Sequence, residues 1–249
     1  MKPGRRTRYL LGAAIFVLTA TTGARGAPAT TWPALLGPRE AFSPELSTAV
    51  ERVWIEPTLS RTVHARSARV PLEVYAAFLD TPDVTAAAAR FRKLASLEVE
   101  ALGDDRYRAD DGDGARGFAQ VLRRERRRRV VFSQGQHTDS LLGTISGSAL
   151  TVLDLEQRGD RVAPTLTAYV YIDDRVAAGL ARLLIAGFGF LADRKLGDGL
   201  RITAGVAEWA VDGSGGFCEW LAHEPIPPAR RHRIVAALPA CAPRSADAK

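Results

Sequence analysis

The feature that most limits how this chain can fold is the segment RVAAGLARLLIAGFGFLADRKLGDGLRITAGVAEWA, residues 175–210. Placed at 100° per residue, Ala177, Ala181, Leu184, Phe188, Leu191, Ala192, Leu196, Ile202, Val206 and Trp209 fall in one apolar sector. Arg175, Arg182, Asp193, Arg194, Arg201 and Glu208 fall opposite. The phase survives Gly197-Asp198-Gly199, which predicts one long helix, kinked at that point, in place of two unrelated ones. An apolar stripe this long needs an equally long partner surface. Asp173-Asp174 just before it suits a helix N-terminus. Arg182 inside the apolar stretch argues against a membrane span.

The partner surface is written upstream as period-two alternation. LEVEAL from Leu97, RYRA, GFAQVLRRE, RRRVVFSQGQ, ALTVLDLEQ and TLTAYVYID read as strands, about six in succession joined by short turns. In the last of them Leu166, Ala168, Val170 and Ile172 share one face, and Thr165, Thr167, Tyr169 and Tyr171 the other. Gly103-Asp104-Asp105, Asp110–Gly114 and Gly159-Asp160-Arg161 read as turns, and the strand ALTVLDLEQ is expected to follow Ser146-Gly147-Ser148. The DDGDG turn lacks the closing acidic ligand of a calcium loop. A further strand is expected from Thr62 to Val70, a helix after Pro71, and another from Thr81-Pro82-Asp83. Ser43-Pro44-Glu45 has the N-cap serine and first-turn proline of a helix running to about Trp54.

The N-terminus sets the compartment. Lys2, Arg5, Arg6 and Arg8 precede an apolar run from Tyr9 to Ala20, and Ala24-Arg25-Gly26 supplies the small residues of a cleavage site. The run is short of the roughly 20 residues that cross a bilayer. Residues 1–26 are therefore read as a secretory signal peptide, and the protein as periplasmic or secreted. The full chain carries 34 Lys and Arg against 28 Asp and Glu. Five of the basic residues and none of the acidic ones lie in 1–26, so the remainder is near neutral, at +1. That balance excludes nucleic acid as a partner. In an oxidising compartment Cys218 and Cys241 are expected to pair as a disulfide.

The arginine-rich run VLRRERRRRVV reads as two strands meeting near Glu125, with arginines at the turn and on the solvent face. The alternative use of Arg126, Arg127 and Arg128 is transient contact with an anionic membrane surface.

With PLEVYAAFLDTPDVTAAAARF after the first strand and LTAYVYIDDRVAAGLARLLIAGFGFLADRKLGDGL at the end, the chain resembles the START-like helix-grip superfamily. Lipid-transfer domains and polyketide cyclases belong to it. The resemblance covers roughly residues 60–212. It implies an α+β helix-grip fold, an antiparallel sheet of about six to seven strands wrapped around a long C-terminal helix. It also implies an apolar cavity between the two. The resulting organisation is a signal peptide (1–26), an N-terminal extension with a short helix (27–59), the helix-grip domain (60–212) and a cysteine-bearing tail (213–249).

The cavity candidates are Ala181, Leu184, Phe188, Leu191, Ala192 and Lys195 on the helix, Tyr169 and Tyr171 on the last strand, and His64 on the first. His64 is the candidate general base, set against a structural role; Lys195 could meet an acidic ligand group or snorkel to solvent. The histidines His64, His137, His223 and His232 are dispersed without metal spacing, and no G-x-S-x-G, H-E-x-x-H or C-x-x-C is present. No cofactor or metal is expected. Three readings stay open: an exported binding or transfer protein for a lipid-like molecule, a cyclase- or hydrolase-like enzyme in the same cavity, and a filled scaffold. The missing acid–base cluster favours the first over the second.

Overall fold

The computed structural model describes residues 32–103, 105–139 and 143–242. Side chains of residues 139, 175–178, 180–192, 194 and 195 lie outside that description. Seven antiparallel strands form one sheet: β1 (Leu59–His64), β2 (Glu98–Ala101), β3 (Arg106–Asp110), β4 (Ala115–Arg124), β5 (Arg128–Asp139), β6 (Gly143–Arg158) and β7 (Arg161–Ile172). Their spatial order is β1-β7-β6-β5-β4-β3-β2, so β2 to β7 are a meander and β1 closes its far edge. The helices are α1 (Pro44–Ile55), α2 (Leu72–Leu79), α3 (Pro82–Phe91), α4 (Arg175–Asp212), α5 (Ser214–His223) and α6 (Pro228–Ala237). This is the expected α+β helix-grip arrangement, with the long helix last among the elements of the grip.

Local chemistry explains the element ends. The Ser43 Oγ accepts from the Leu46 N–H at 3.3 Å with Pro44 in the first turn, as the sequence predicts. α4 runs unbroken through Gly197-Asp198-Gly199. Its second half buries Leu200, Ala204, Val206, Ala207 and Ala210 with Tyr75 and Phe78 of α2, Val84 and Ala88 of α3, and Leu153, Leu166 and Ala168 of the sheet. The buried arc is wider than the predicted sector because this part of α4 meets two helices as well as the sheet. Arg61 of β1 grips Asp193 of α4 bidentately, Nε to Oδ1 at 2.9 Å and Nη2 to Oδ2 at 2.6 Å. Arg66 pairs with Glu208 further along.

Two expectations shift. The first strand lies earlier than Thr62–Val70: β1 ends at His64, and beyond it only Ala68 bridges Val162. β6 also begins earlier than the expected ALTVLDLEQ: it starts at Gly143, with Gly147 and Ser148 paired on both sides.

Both faces of the sheet are covered. The inner face carries α2 to α4 and, at one end, α5 and α6, which add Phe217, Trp220, Leu221 and Ile234 to the same core. The Cys218–Cys241 disulfide forms, with Cα atoms 5.0 Å apart. On the outer face Leu36, Val50 and Val53 are buried against Val130, Phe132, Leu150 and Val152, with Trp32, Phe42 and Trp54 around them. Residues 32–55 therefore form a second, smaller core behind the sheet.

Candidate functional site

Alternation assigns each strand residue to a face. Leu166, Ala168, Val170 and Ile172 of β7 point inward, and register carries that face across to Ala149 and Gly147 of β6, Ser133 and Gly135 of β5, Ala119 and Gly117 of β4, and Tyr107 and Ala109 of β3. Near the core, this inner face is filled by large side chains. Toward the other end of the strands it holds small ones. Gly117 pairs directly with Gly135, and Gly135 directly with Gly147, so three glycines form one row across β4, β5 and β6. Ala109 and Ile172 extend the row at either end.

The row is a crease. A Cβ on Gly117 would stand 2.3 Å from the Gln134 carbonyl oxygen, one on Gly135 2.7 Å from that of Arg116, and one on Gly147 2.6 Å from that of Tyr171. Neighbouring backbone occupies the space that any side chain would need. Glycine inside a strand marks such a bend or close approach.

Beside the crease lies an open groove of about 420 Å³, lined by Leu97, Ala109, Ala119, Ala149, Val170 and Ile172 among others. That volume is in the range of small-molecule sites. Ser133 and His137 are the inward polar side chains of β5 here. Asp111 at the rim spends its Oδ1 on the N–H groups of Asp113 and Ala115 and so shapes the β3–β4 turn. Two other hollows are roomier. One, of about 590 Å³, lies under α1 and is edged by Glu45, Arg106, Gln120 and Gln134. The other, of about 680 Å³, is edged by Arg69, Glu73, Arg126, Arg127 and Asp160. Their charged rims make them poor hosts for an apolar molecule, since a buried charge or polar group needs its own partner.

No family model matches the chain, and no curated protein matches it. Among solved structures it is similar to a conserved protein from Geobacillus kaustophilus, at 18% identity and a TM-score of 0.47, over 61% of this chain and 97% of that one. It is similar to the di-domain ARO/CYC BexL from the BE-7585A biosynthetic pathway, at 15% identity and 0.40, over 66% and 55%. A third is Ara h 8.0201, at 11% and 0.38, over 60% and 98%.

Three cavity candidates are corrected. Tyr169 and Tyr171 face outward: the Tyr169 ring packs tilted against Trp54 at 4.7 Å, and Arg52 of α1 sits 5.7 Å over Tyr171. The apolar sheet has a helix on both sides, so aromatic character did not tell one face from the other. His64 also points outward, exposed, with Nδ1 3.1 Å from Thr165 Oγ1, so it has no base position in the groove. Ala181, Leu184, Phe188, Leu191, Ala192 and Lys195 lie on the α4 backbone, and their side chains are outside the described residues. The helix begins three residues after Ile172, which lines the groove. The glycine row was missed because Gly117 and Gly135 were read within single strands and Gly147 just before one, and alternation within a strand gives no register to its neighbours. The signal that could have found it was three glycines at matching phase in successive strands.

The arginine run is also resolved. Glu125 and Arg128 exchange main-chain hydrogen bonds across the turn, as expected of a hairpin. Its guanidinium groups are not all solvated. Arg129 is on the inner face by alternation with Val131 and Ser133, and a bulge between Val121 and Arg123 turns Arg124 to the same face, where both bind Asp80. Arg129 donates Nε to Oδ1 at 2.7 Å and Nη2 to Oδ2 at 2.8 Å. Arg126 pairs with Glu73 and Arg128 with Asp154. The Glu73 carboxyl lies below the usual carboxylate range, held there by its own main-chain N–H at the start of α2 and then by Arg126.

Proposed function

We propose that this is an exported binding or transfer protein whose groove holds a hydrophobic, lipid-like small molecule against the inner face of the sheet. One observation carries the reading: among the described residues the glycine row and its flanking alanines form a half-exposed apolar floor, while further along the same face Tyr107, Leu166 and Ala168 are buried. Ala119 and Ala149 are half-buried there, so there is room in front of them. Burial of apolar ligand surface on such a floor contributes about 25 cal/mol per Å² before the costs of association. Ser133 and His137 supply hydrogen-bonding groups for one polar end of the ligand.

Ala149→Leu puts bulk into the groove and away from the core. Mass spectrometry of an organic extract should find an apolar molecule with the purified wild type and a reduced amount with the variant. Uptake of a fluorescent fatty acid or sterol should fall at least fivefold, while thermal melting stays within ~2 °C because the site is open. A wild type that takes up no such probe, together with an Ala149→Leu variant that loses stability strongly, would replace this reading with a filled scaffold. The export half of the proposal has its own test: N-terminal sequencing of the protein from outside the cytoplasm should begin near Ala27.

A further inference from the structure

The hollow under α1 lies on the outer face of the sheet, across the strands from the groove, and its chemistry is graded along one line. Register sets Arg106 of β3 directly opposite Gln120 of β4, and Gln120 directly opposite Phe132 of β5. One row thus runs from a guanidinium through an amide to a ring buried in the second core. With neighbouring strands about 4.8 Å apart, the row spans roughly 10 Å. The next row sets Phe118 opposite Gln134. Phe42, with Leu46 and Ala49 of α1, forms the facing wall, and the space between is about 590 Å³. That is room for a small molecule.

Both kinds of surface in this hollow lack partners within the protein. Phe118 is 55% exposed and Leu102 39%, two of the few large apolar side chains that stand in solvent, and both border it. Among the described residues the side chains of Arg106, Gln120 and Gln134 form no hydrogen bond or ion pair. The arginines next along the same face differ, since Arg108 pairs with Glu100 and Arg116 with Asp110. The rim carboxylate, Glu45, is engaged elsewhere. Its own main-chain N–H and Ser43, at the start of α1, hold it below the usual carboxylate range. An unpaired cation and two amides therefore stand at one end of an apolar trough.

We propose that this hollow binds a compact amphiphilic carboxylate, such as an arylalkanoic acid. The Arg106 guanidinium takes the carboxylate in a bidentate pair. The Gln120 amide donates to the same group, and the apolar tail lies along Phe118 and Phe132 beside Leu46. The charge that makes the hollow a poor host for a wholly apolar molecule is what selects this one, because the anion brings the partner that the guanidinium lacks. The row's length sets the length of the tail. The site is independent of what the groove holds.

The test is calorimetric titration of the purified full chain with sodium 4-phenylbutyrate, with 4-phenylbutan-1-ol as the neutral control. Saturable binding of the acid is expected, and binding at least about tenfold weaker for the alcohol. Arg106→Ala should weaken the acid about tenfold or more. Arg106→Lys should weaken it about threefold, since the charge stays and the fork is lost. Phe118→Ala should weaken it about two- to tenfold. Arg106 is exposed and unpaired, so Arg106→Ala should melt within about 2 °C of wild type, which shows that the variant folds. Ala149→Leu, which fills the groove on the other face, should leave the affinity within about twofold. No saturable binding of the acid, equal binding of the alcohol, or an unchanged affinity in Arg106→Ala overturns the proposal. Binding lost in Ala149→Leu and kept in Arg106→Ala places the acid in the groove and overturns it as well.

Discussion

Arg129 shows how much one residue's setting matters in a run of similar neighbours. Its side chain is 8% exposed and its partner Asp80 12%, whereas Arg126 stands in solvent beside an exposed Glu73. Breaking a buried pair leaves a charge without compensation and typically costs 3–5 kcal/mol, while an exposed pair is worth about 0–1 kcal/mol. Arg129→Ala should therefore lower unfolding free energy in urea by about 3 kcal/mol or more, and Arg126→Ala by less than about 1 kcal/mol. Similar losses for the two would show that the Asp80 network is not the anchor described. In the sequence, Arg129 is one arginine in four consecutive ones. The alternation of Arg129 with Val131 and Ser133 was legible, but the bulge at Val121–Arg123 that brings Arg124 to the same carboxylate was not.

At the scale of elements, β4, β5 and β6 act together through the glycine row. Adding a methyl group at Gly135 drives it to 2.7 Å from the Arg116 carbonyl oxygen, where only backbone is available to move. Gly135→Ala is expected to destabilise by about 1–3 kcal/mol through this overpacking and to lower uptake of the apolar probe by opening the crease. By contrast, Gly143→Ala tests a positive-φ position alone, since nothing stands within 4 Å of its Cβ position although its φ is +70°. Denaturant melts with uptake on each variant would separate the two effects. If Gly135→Ala kept both stability and uptake, the crease would have no part in shaping the groove.

For the whole molecule, the disulfide and the C-terminal helices close the core around α2, α3 and α4. Cys218 lies on α5 and Cys241 follows α6, 23 residues on. On the chain-entropy estimate a loop of this length contributes about 3 kcal/mol. Cys218→Ser with Cys241→Ser should lower stability by about that amount and speed proteolysis between α5 and α6. An unchanged melting temperature would mean that Phe217, Trp220 and Ile234 hold these helices without help.

Several features were determined by sequence alone because their physics is local. The Ser43 cap needs only Leu46 three residues on, the α4 stripe needs only its own period, and the strand count follows from alternation. Cys218 and Cys241 were the two cysteines available to pair. What tertiary structure decided is which way each element faces. A period of two divides a strand into two faces and gives no sign of which meets the long helix. With α1 covering the back of the sheet, both faces of β7 have a reason to be apolar, so Tyr169 and Tyr171 could be assigned inward on composition and lie outward in the fold. The groove likewise depends on Gly117, Gly135 and Gly147 coming into register across three strands. That register is set by the hairpin pairing of β4 with β5 and of β5 with β6, and the alternation within any one strand does not contain it.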